Sequence, residues 1–363
     1  MRLKSQQLLG FFAVYRQSVS WQWAGKLANL DGQQRNEQMR LLLTTYHHAF
    51  LAPGGGETEF LQLAEYMNEN GVRADFYGHA SRPLRYYDAI VHFSAVGGGQ
   101  TLLRNVREQG KPIILIPNYN FFSPSAGSLP VVQEHFDLAD VIVLRTQVEA
   151  ELCKTLFQVT HDKIVVVPPG ISAAFARPVP DDLFRSAYGV GRFVLWVGVL
   201  DEAKQQLQAI EALHDLDVPL IFIGGYHDRA YYAKCKAAAS ETVRFLPYLQ
   251  PGSDIIRSAM QSCSAYLELG EDFPGHSAIE AGLAGAPLVL RDHPWSRELL
   301  GDDVGYVTSC EPDAVLRAVS ATLENGKRGA LVERIKQRLV QPQTTALLIE
   351  DIEKYLARRQ GGA

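Results

Sequence analysis

From residue 40 onward the chain alternates between two hydrophobic rhythms. Short, largely apolar runs come first: 41–46, 72–77, 89–93, 113–116, 141–144 and 164–167. Runs of this length and kind predict strands buried on both faces. Between them lie stretches whose apolar residues recur at helical spacing. Phe60, Leu63, Ala64 and Met67, at i, i+3, i+4 and i+7, form the first such face, and Gly71 closes it. Further helices are expected from about 101, 131 and 148. Pro168-Pro169-Gly170, with Pro178 and Pro180, interrupts the rhythm before a second series of strands at 193–197, 220–223, 243–246, 265–269 and 288–290. Apolar strands alternating with amphipathic helices imply parallel sheets covered on both sides. The expected fold is therefore α/β: two doubly wound, Rossmann-like units joined near 170–190 and separated by a cleft. In such sheets ligands bind beyond the carboxyl ends of the strands.

Composition narrows the function classes. The 363 residues are 47% hydrophobic and 21% charged, as in an ordinary folded protein. Thirty-five Lys and Arg against 40 Asp and Glu give a net charge of −5. A bulk cationic surface for nucleic acid is thus absent. No run approaches the ~20 apolar residues of a membrane span, and no signal-peptide cleavage pattern follows Leu8–Val14, so a cytoplasmic protein is expected. Cys153, Cys235, Cys263 and Cys310 are scattered without a C-x-x-C pair, which supports neither zinc nor dithiol chemistry. Residues 1–39 stand apart. Arg2, Lys4, Arg16 and Lys26 interleave with Phe11, Phe12, Tyr15, Trp21 and Trp23, and no acid precedes Asp31. Such a segment suits a peripheral membrane contact. The simpler account is an N-terminal helix packed on the protein surface with its aromatics buried against it.

Several segments carry candidate chemistry. Gly54-Gly55-Gly56 lies between a strand and a helix, where the backbone can turn tightly and bring N–H groups against an anion. Its spacing fits neither G-x-G-x-x-G nor the P-loop. His92 ends a strand just before Gly97-Gly98-Gly99, and Gly224-Gly225 follows another strand. The most informative stretch is Glu271-Asp272-Phe273-Pro274-Gly275-His276-Ser277-Ala278-Ile279-Glu280. It predicts a helix opening near Gly275, whose free N–H groups at 275–277 suit a diphosphate without a metal. Asp272 then precedes the helix and Glu280 lies about one turn inside it, able to accept hydrogen bonds from vicinal sugar hydroxyls.

Residues 271–289 resemble the carboxylate-x7-carboxylate motif of retaining GT-B glycosyltransferases, especially glycosyltransferase family four. Ala281–Val289 resembles the helix-turn-strand that follows that motif. Other pieces match in order: Pro53–Glu57 an acceptor-side glycine loop, Asp88–Phe93 a strand ending in a histidine, and Val165–Ile171 the close of the first domain. Trp196–Gly198 with Asp201–Gln205 resembles the strand and loop that carry phosphate-binding cations. The resemblance spans residues 40–325 and implies the GT-B fold, with an acceptor-side domain at 40–175 and a nucleotide-sugar domain at 190–340. It further implies that the helix in 341–363 crosses back to the first domain.

By the same resemblance, Glu280 and Glu271 bind the donor together with the backbone at Gly275, His276 and Ser277. Lys204 neutralises the leaving diphosphate, Asp272 acts beside it, and His92 contacts the donor sugar. Gly54–Gly56 shape the acceptor and phosphate side. The implied reaction moves a sugar, with retention, from a UDP- or GDP-linked donor to a glycan or lipid-linked glycan of the cell envelope. No metal or other cofactor is implied. The chain departs from the family at Val199, where arginine is usual, at Gln205, where glycine is common, and at Asp272, where glutamate is usual. These departures keep a second reading open, an inactive GT-B-like subunit that binds glycan or a partner enzyme. A third reading keeps the fold but changes the reaction to that of an epimerase or phosphorylase. No lysine stands in an obvious context for the pyridoxal phosphate that a phosphorylase needs.

Overall fold

The computed structural model describes residues 38–51, 54–180, 182–270, 275–326 and 329–361. Residues 1–37 of the basic, aromatic segment lie outside that range, as do Glu271 and Asp272. The first lobe runs β1 (Arg40–Thr45), α1 (Gly55–Glu69), β2 (Arg73–Phe76), β3 (Ala89–Phe93), α2 (Gln100–Glu108), β4 (Ile113–Ile116), α3 (Leu129–Leu138), β5 (Val141–Leu144), α4 (Gln147–Leu156) and β6 (Ile164–Val166). Its six strands are parallel, in the order β2-β1-β3-β4-β5-β6. The strand period of two sends alternate side chains to opposite faces. Leu41 and Leu43 join the α1 side of the core, while Leu42 and Ile90 join the α2–α4 side.

A short strand β7 (Ile171–Ser172) leads into the second lobe. There follow α5 (Leu183–Tyr188), β8 (Val194–Val197), α6 (Gln206–Ala212), β9 (Leu220–Ile223), α7 (Arg229–Ala238), β10 (Val243–Leu246), α8 (Asp254–Ser262) and β11 (Ala265–Glu268). The lobe continues with α9 (His276–Leu283), β12 (Leu288–Arg291), α10 (Pro294–Leu300), β13 (Gly305–Val307), α11 (Pro312–Asn325) and α12 (Gly329–Arg338). This sheet is also parallel, in the order β10-β9-β8-β11-β12-β13. Trp196 and Val194 pack toward Ile210, Val315 and Val319, whereas Leu195 packs toward Met260, Ile279 and Ile335.

The chain then recrosses. β14 (Val340–Gln341) pairs with β7, and α13 (Gln343–Gly361) places Leu348, Ile349 and Ile352 in the core of the first lobe. Gly170 fits this crossing because a Cβ there would lie 1.8 Å from Thr344 Oγ1 and 2.5 Å from Gln341 Nε2. The fold is the expected pair of doubly wound α/β units. The strands at 89–93, 113–116, 141–144, 220–223 and 243–246 fall where the apolar runs predict them. β13 and the β7–β14 pair are too short to leave a hydrophobic run. Residues 293–298, which follow the strand at 288–290 and read from the sequence as either a border of the cleft or a surface loop, begin α10. Pro294 is preset for the first helical turn, the Ser296 hydroxyl donates to the His293 carbonyl (2.8 Å), and Trp295 is buried. Cys153, Cys235 and Cys263 are buried, Cys310 is half-buried, and none of the four is in a disulfide.

Candidate active site

Each sheet has one point where the strand order reverses, and a crevice opens there beyond the carboxyl ends. In the first lobe it lies between β1 and β3, and in the second between β8 and β11. These two places hold most of the polar residues singled out from the sequence.

At the first, the register sets Thr44 beside His92. Thr44 Oγ1 and His92 Nδ1 are 2.8 Å apart, and the His92 ring stacks on His135 with centroids 5.7 Å apart. His92 is fully buried. Burial, helped by His135 and His47, pushes its pKa down to about 3, so the ring is neutral throughout the physiological range. Gly99 closes over it, since a Cβ there would lie 2.5 Å from His92 Nε2 and 3.2 Å from His135 Nε2. His92 therefore stands inside the lobe rather than along the cleft wall. The glycine loop is braced by Glu57, which accepts the Gly54 N–H (2.8 Å) and a hydrogen bond from the Tyr46 hydroxyl. Gly55 has open space where a Cβ would stand, while one on Gly56 would lie 3.1 Å from Asn118 Nδ2.

At the second, α9 begins at His276 with Gly275 as its N-cap, and no side chain caps it. Gly275, His276 and Ser277 are half-buried. Glu268, at the end of β11, accepts the Gly275 N–H at 3.2 Å. The buried Tyr266 hydroxyl donates to the Val197 carbonyl at 3.2 Å, tying the end of β8 to the same corner. Glu280 lies one turn into α9. Burial pushes its carboxyl up to about 8, and no described residue gives it a hydrogen bond or a cation. Lys204 ends a short 3₁₀ turn at 202–204, capped where Asp201 Oδ1 accepts the Ala203 N–H (3.0 Å). Gln205 follows with φ 61°, in the left-handed region where glycine is at ease. Val199 puts only its backbone to use, its carbonyl accepting from Gln206 Nε2 at 3.0 Å.

The two lobes meet through these corners. His276 Nε2 lies 3.8 Å from Glu59 Oε2, so a side chain one turn into α1 faces the first residue of α9. Glu59 also pairs with Arg145 at 2.9 Å, and the same guanidinium reaches Asn118 Oδ1 at 2.9 Å. Burial lowers the His276 pKa; Glu59 opposes that shift and Arg145 adds to it. Glu59, Arg145, Pro168, Gly170, His276 and Thr344 help line a cleft with about 580 Å³ of empty space. Farther along, the Glu298 carboxylate accepts the N–H groups of Gln147 (2.8 Å) and Val148 (3.1 Å), capping α4 from the opposite lobe. Phe122 packs against His293 and Trp295 across the same boundary.

Glu59, Arg145 and Glu268 were not singled out from the sequence. Arg145 and Glu268 had one readable sign, a charge at or just past the carboxyl end of an apolar strand. Glu59 had none, because only the approach of the lobes gives it partners, and Glu298 was named only within 293–298 as a stretch that could border the cleft. The structure sets Gly275, His276, Ser277 and Glu280 on one helix start, with Glu59 from the helix that follows Gly54–Gly56 beside His276, and it keeps His92 enclosed. Among the described residues no cluster of His, Cys, Asp and Glu could hold a metal ion.

Known proteins supply an independent comparison. Residues 186–338 match the family model described as Glycosyl transferases group 1. No curated protein matches the sequence. Among solved structures, HepE from Anabaena, in complex with UDP and glucose, superposes with a TM-score of 0.69 at 17% identity, over 87% of this chain and 100% of that one. Sucrose-phosphate synthase from Thermosynechococcus elongatus gives 0.72 at 14%, over 88% and 100%. A glycosyltransferase from Rickettsia africae gives 0.68 at 11%, over 88% and 99%. The chain has the GT-B fold, and its second lobe, over residues 186–338, matches Glycosyl transferases group 1.

Proposed function

We propose that the protein is a glycosyltransferase that moves a sugar, with retention, from a nucleoside-diphosphate sugar to a hydroxyl of a glycan or lipid-linked glycan, in cell-envelope polysaccharide synthesis. One observation carries the reading: the start of α9 has no side-chain cap, His276 in its first turn faces the Glu59–Arg145 pair of the first lobe, and a carboxylate one turn further in has no partner among the described residues. A helix N-terminus presents free N–H groups and partial positive charge, which suits a diphosphate. The second-lobe family match and the UDP-glucose complex of the similarly folded HepE support the same donor class.

In this reading the N–H groups of His276 and Ser277 hold the diphosphate, the Gly275 N–H being taken by Glu268, and Glu280 accepts hydrogen bonds from the ribose hydroxyls. Lys204 and the helix dipole offset the charge that builds on the diphosphate as the glycosidic bond breaks, so the leaving group needs no metal. Asp272, with Glu271 beside it, directs the donor sugar. The buried His92 acts as a positioning residue that sets Thr44 and the turn at 97–99. The acceptor hydroxyl attacks from the same face, and the departing phosphate takes its proton. Closure of the lobes around Glu59, His276 and Glu298 excludes water, which limits hydrolysis of the donor.

The test is titration calorimetry with UDP, GDP and ADP, without added metal, on the wild type and Glu280→Ala. One diphosphate should bind the wild type and lose about 10- to 100-fold in affinity on the variant. Failure of all three to bind would overturn the donor site and leave the partner-binding subunit as the reading to pursue.

A further inference from the structure

The free edge of the first sheet carries a surface that sugar transfer does not use. β2 pairs only with β1, and large apolar side chains stand open around its carboxyl end. Phe50, Leu51, Phe76 and Tyr77 are 44%, 80%, 40% and 59% exposed, and Leu61, next to Phe60 on α1, is exposed as well. The patch is continuous, because the Phe60 ring lies 6.2 Å from Phe50 and 5.1 Å from Phe76, centroid to centroid. Phe50 has φ 67°, a conformation that a bulky residue adopts only under constraint. The loop after β1 thus holds an aromatic ring outward against its own backbone preference.

Cations adjoin these rings. Arg82 lies 4.8 Å from the Tyr86 ring centre, and Arg40 and Arg73 lie 4.9 and 5.5 Å from the same ring. Arg73 is three residues before Phe76, so the apolar and cationic parts are about 10 Å apart. Asp88 pairs with Arg40 and Asp75 with Arg73. Arg82 and Arg85, both exposed, have no carboxylate partner among the described residues. Neither 46–56 nor 76–87 contains an Asp or Glu, in a chain whose net charge is −5.

We propose that this edge docks on an anionic lipid bilayer. Phe50, Leu51, Phe76 and Tyr77 enter the boundary between headgroups and acyl chains, and Arg82 and Arg85 meet lipid phosphates. A protein partner would also cover the rings. Uncompensated arginines beside them, with no acid in either loop, match a dense anionic plane better. Docking here would place the Gly54–Gly56 loop, three residues beyond Leu51, close to the lipid surface whether or not the protein transfers sugar.

The test is co-sedimentation of the full chain with phosphatidylcholine vesicles, with and without phosphatidylglycerol. The wild type should partition onto the anionic vesicles and much less onto the neutral ones. A Phe50→Ser/Leu51→Ser double variant and an Arg82→Gln/Arg85→Gln double variant should each lose about tenfold in partitioning. Their melting temperatures should stay at the wild-type value, because these side chains are exposed. No partitioning by the wild type would overturn the proposal and make the edge a protein-docking surface. Equal partitioning by all three proteins would also overturn it, by placing membrane attachment elsewhere in the chain.

Discussion

The two switch points are built from the same parts and finished differently. Each sits where a parallel sheet reverses its strand order, and each has a glycine pressed against a neighbour. In the first lobe the polar groups are sealed. His92 is neutral and enclosed by Gly99, Thr44 and His135, and Glu57 is occupied by Tyr46 and Gly54. In the second lobe they are open. The start of α9 has no side-chain cap, and Glu280 carries a raised pKa with no partner among the described residues. Burying a carboxyl without a partner opposes its ionisation, so a group left this way marks where a ligand can compensate. The first lobe thus supplies rigid shape, and the second supplies unsatisfied binding capacity.

Glycine substitution should break both corners with the largest effect. A Cβ on Gly224 would lie 2.1 Å from the Gly198 carbonyl oxygen, backbone against backbone, and Gly224→Ala should cost about 3 kcal/mol in a denaturant titration. Gly99→Ala presses instead on the His92 ring and should cost about 2 kcal/mol, because a side chain yields more readily.

Glu280 sharpens the contrast through pH. Its folded pKa of about 8 lies above the ordinary 4.5, so the folded state holds a proton that the unfolded state has lost. Stability from this group is therefore full below about 4.5 and falls as pH rises toward 8. Glu280→Gln should flatten that slope in melting curves taken across the window. Hydroxyls that donate to the carboxylate favour its charged form, so nucleotide binding should release a proton at pH 7. Calorimetry in buffers of different ionisation enthalpy would detect it, and equal apparent heats would contradict this role for Glu280.

Glu298→Ala tests whether the second lobe also holds the first in place. It removes the acceptor for two N–H groups of α4 and should cost about 1 kcal/mol. Small-angle scattering should then show a more open molecule, and an unchanged profile would assign lobe closure to other contacts. The smallest effect is expected at Gln205→Gly, which relieves a left-handed residue and should stabilise the protein by about 0.5 kcal/mol.

How much of this was legible in sequence depends on the range of each signal. The interior strands were readable because burial on both faces demands unbroken apolar runs, and α1 because Phe60, Ala64 and Met67 must share one buried face. The start of α9 was readable from Gly275-His276-Ser277, whose backbone groups matter more than their side chains. His92 was found by its place at a strand end, but its direction was hidden. Its facing neighbour His135 lies on a helix 43 residues away in sequence. Residues 293–298 were legible only as a stretch that could border the cleft or form a surface loop, and α10 decides that Glu298 reaches the start of α4.

The sequence by itself determined the two parallel sheets, the break between them near Pro168–Gly170, and the helix start that offers N–H groups to an anion. These follow from local periodicity and backbone chemistry, which act over a few residues. The tertiary structure decided which polar groups are closed and which are open. Glu59 meets His276, Arg145 meets Glu59, and Glu298 meets α4 only when segments more than 80 residues apart come together. Charge compensation and desolvation depend on distance in space, and no pattern along the chain records that distance.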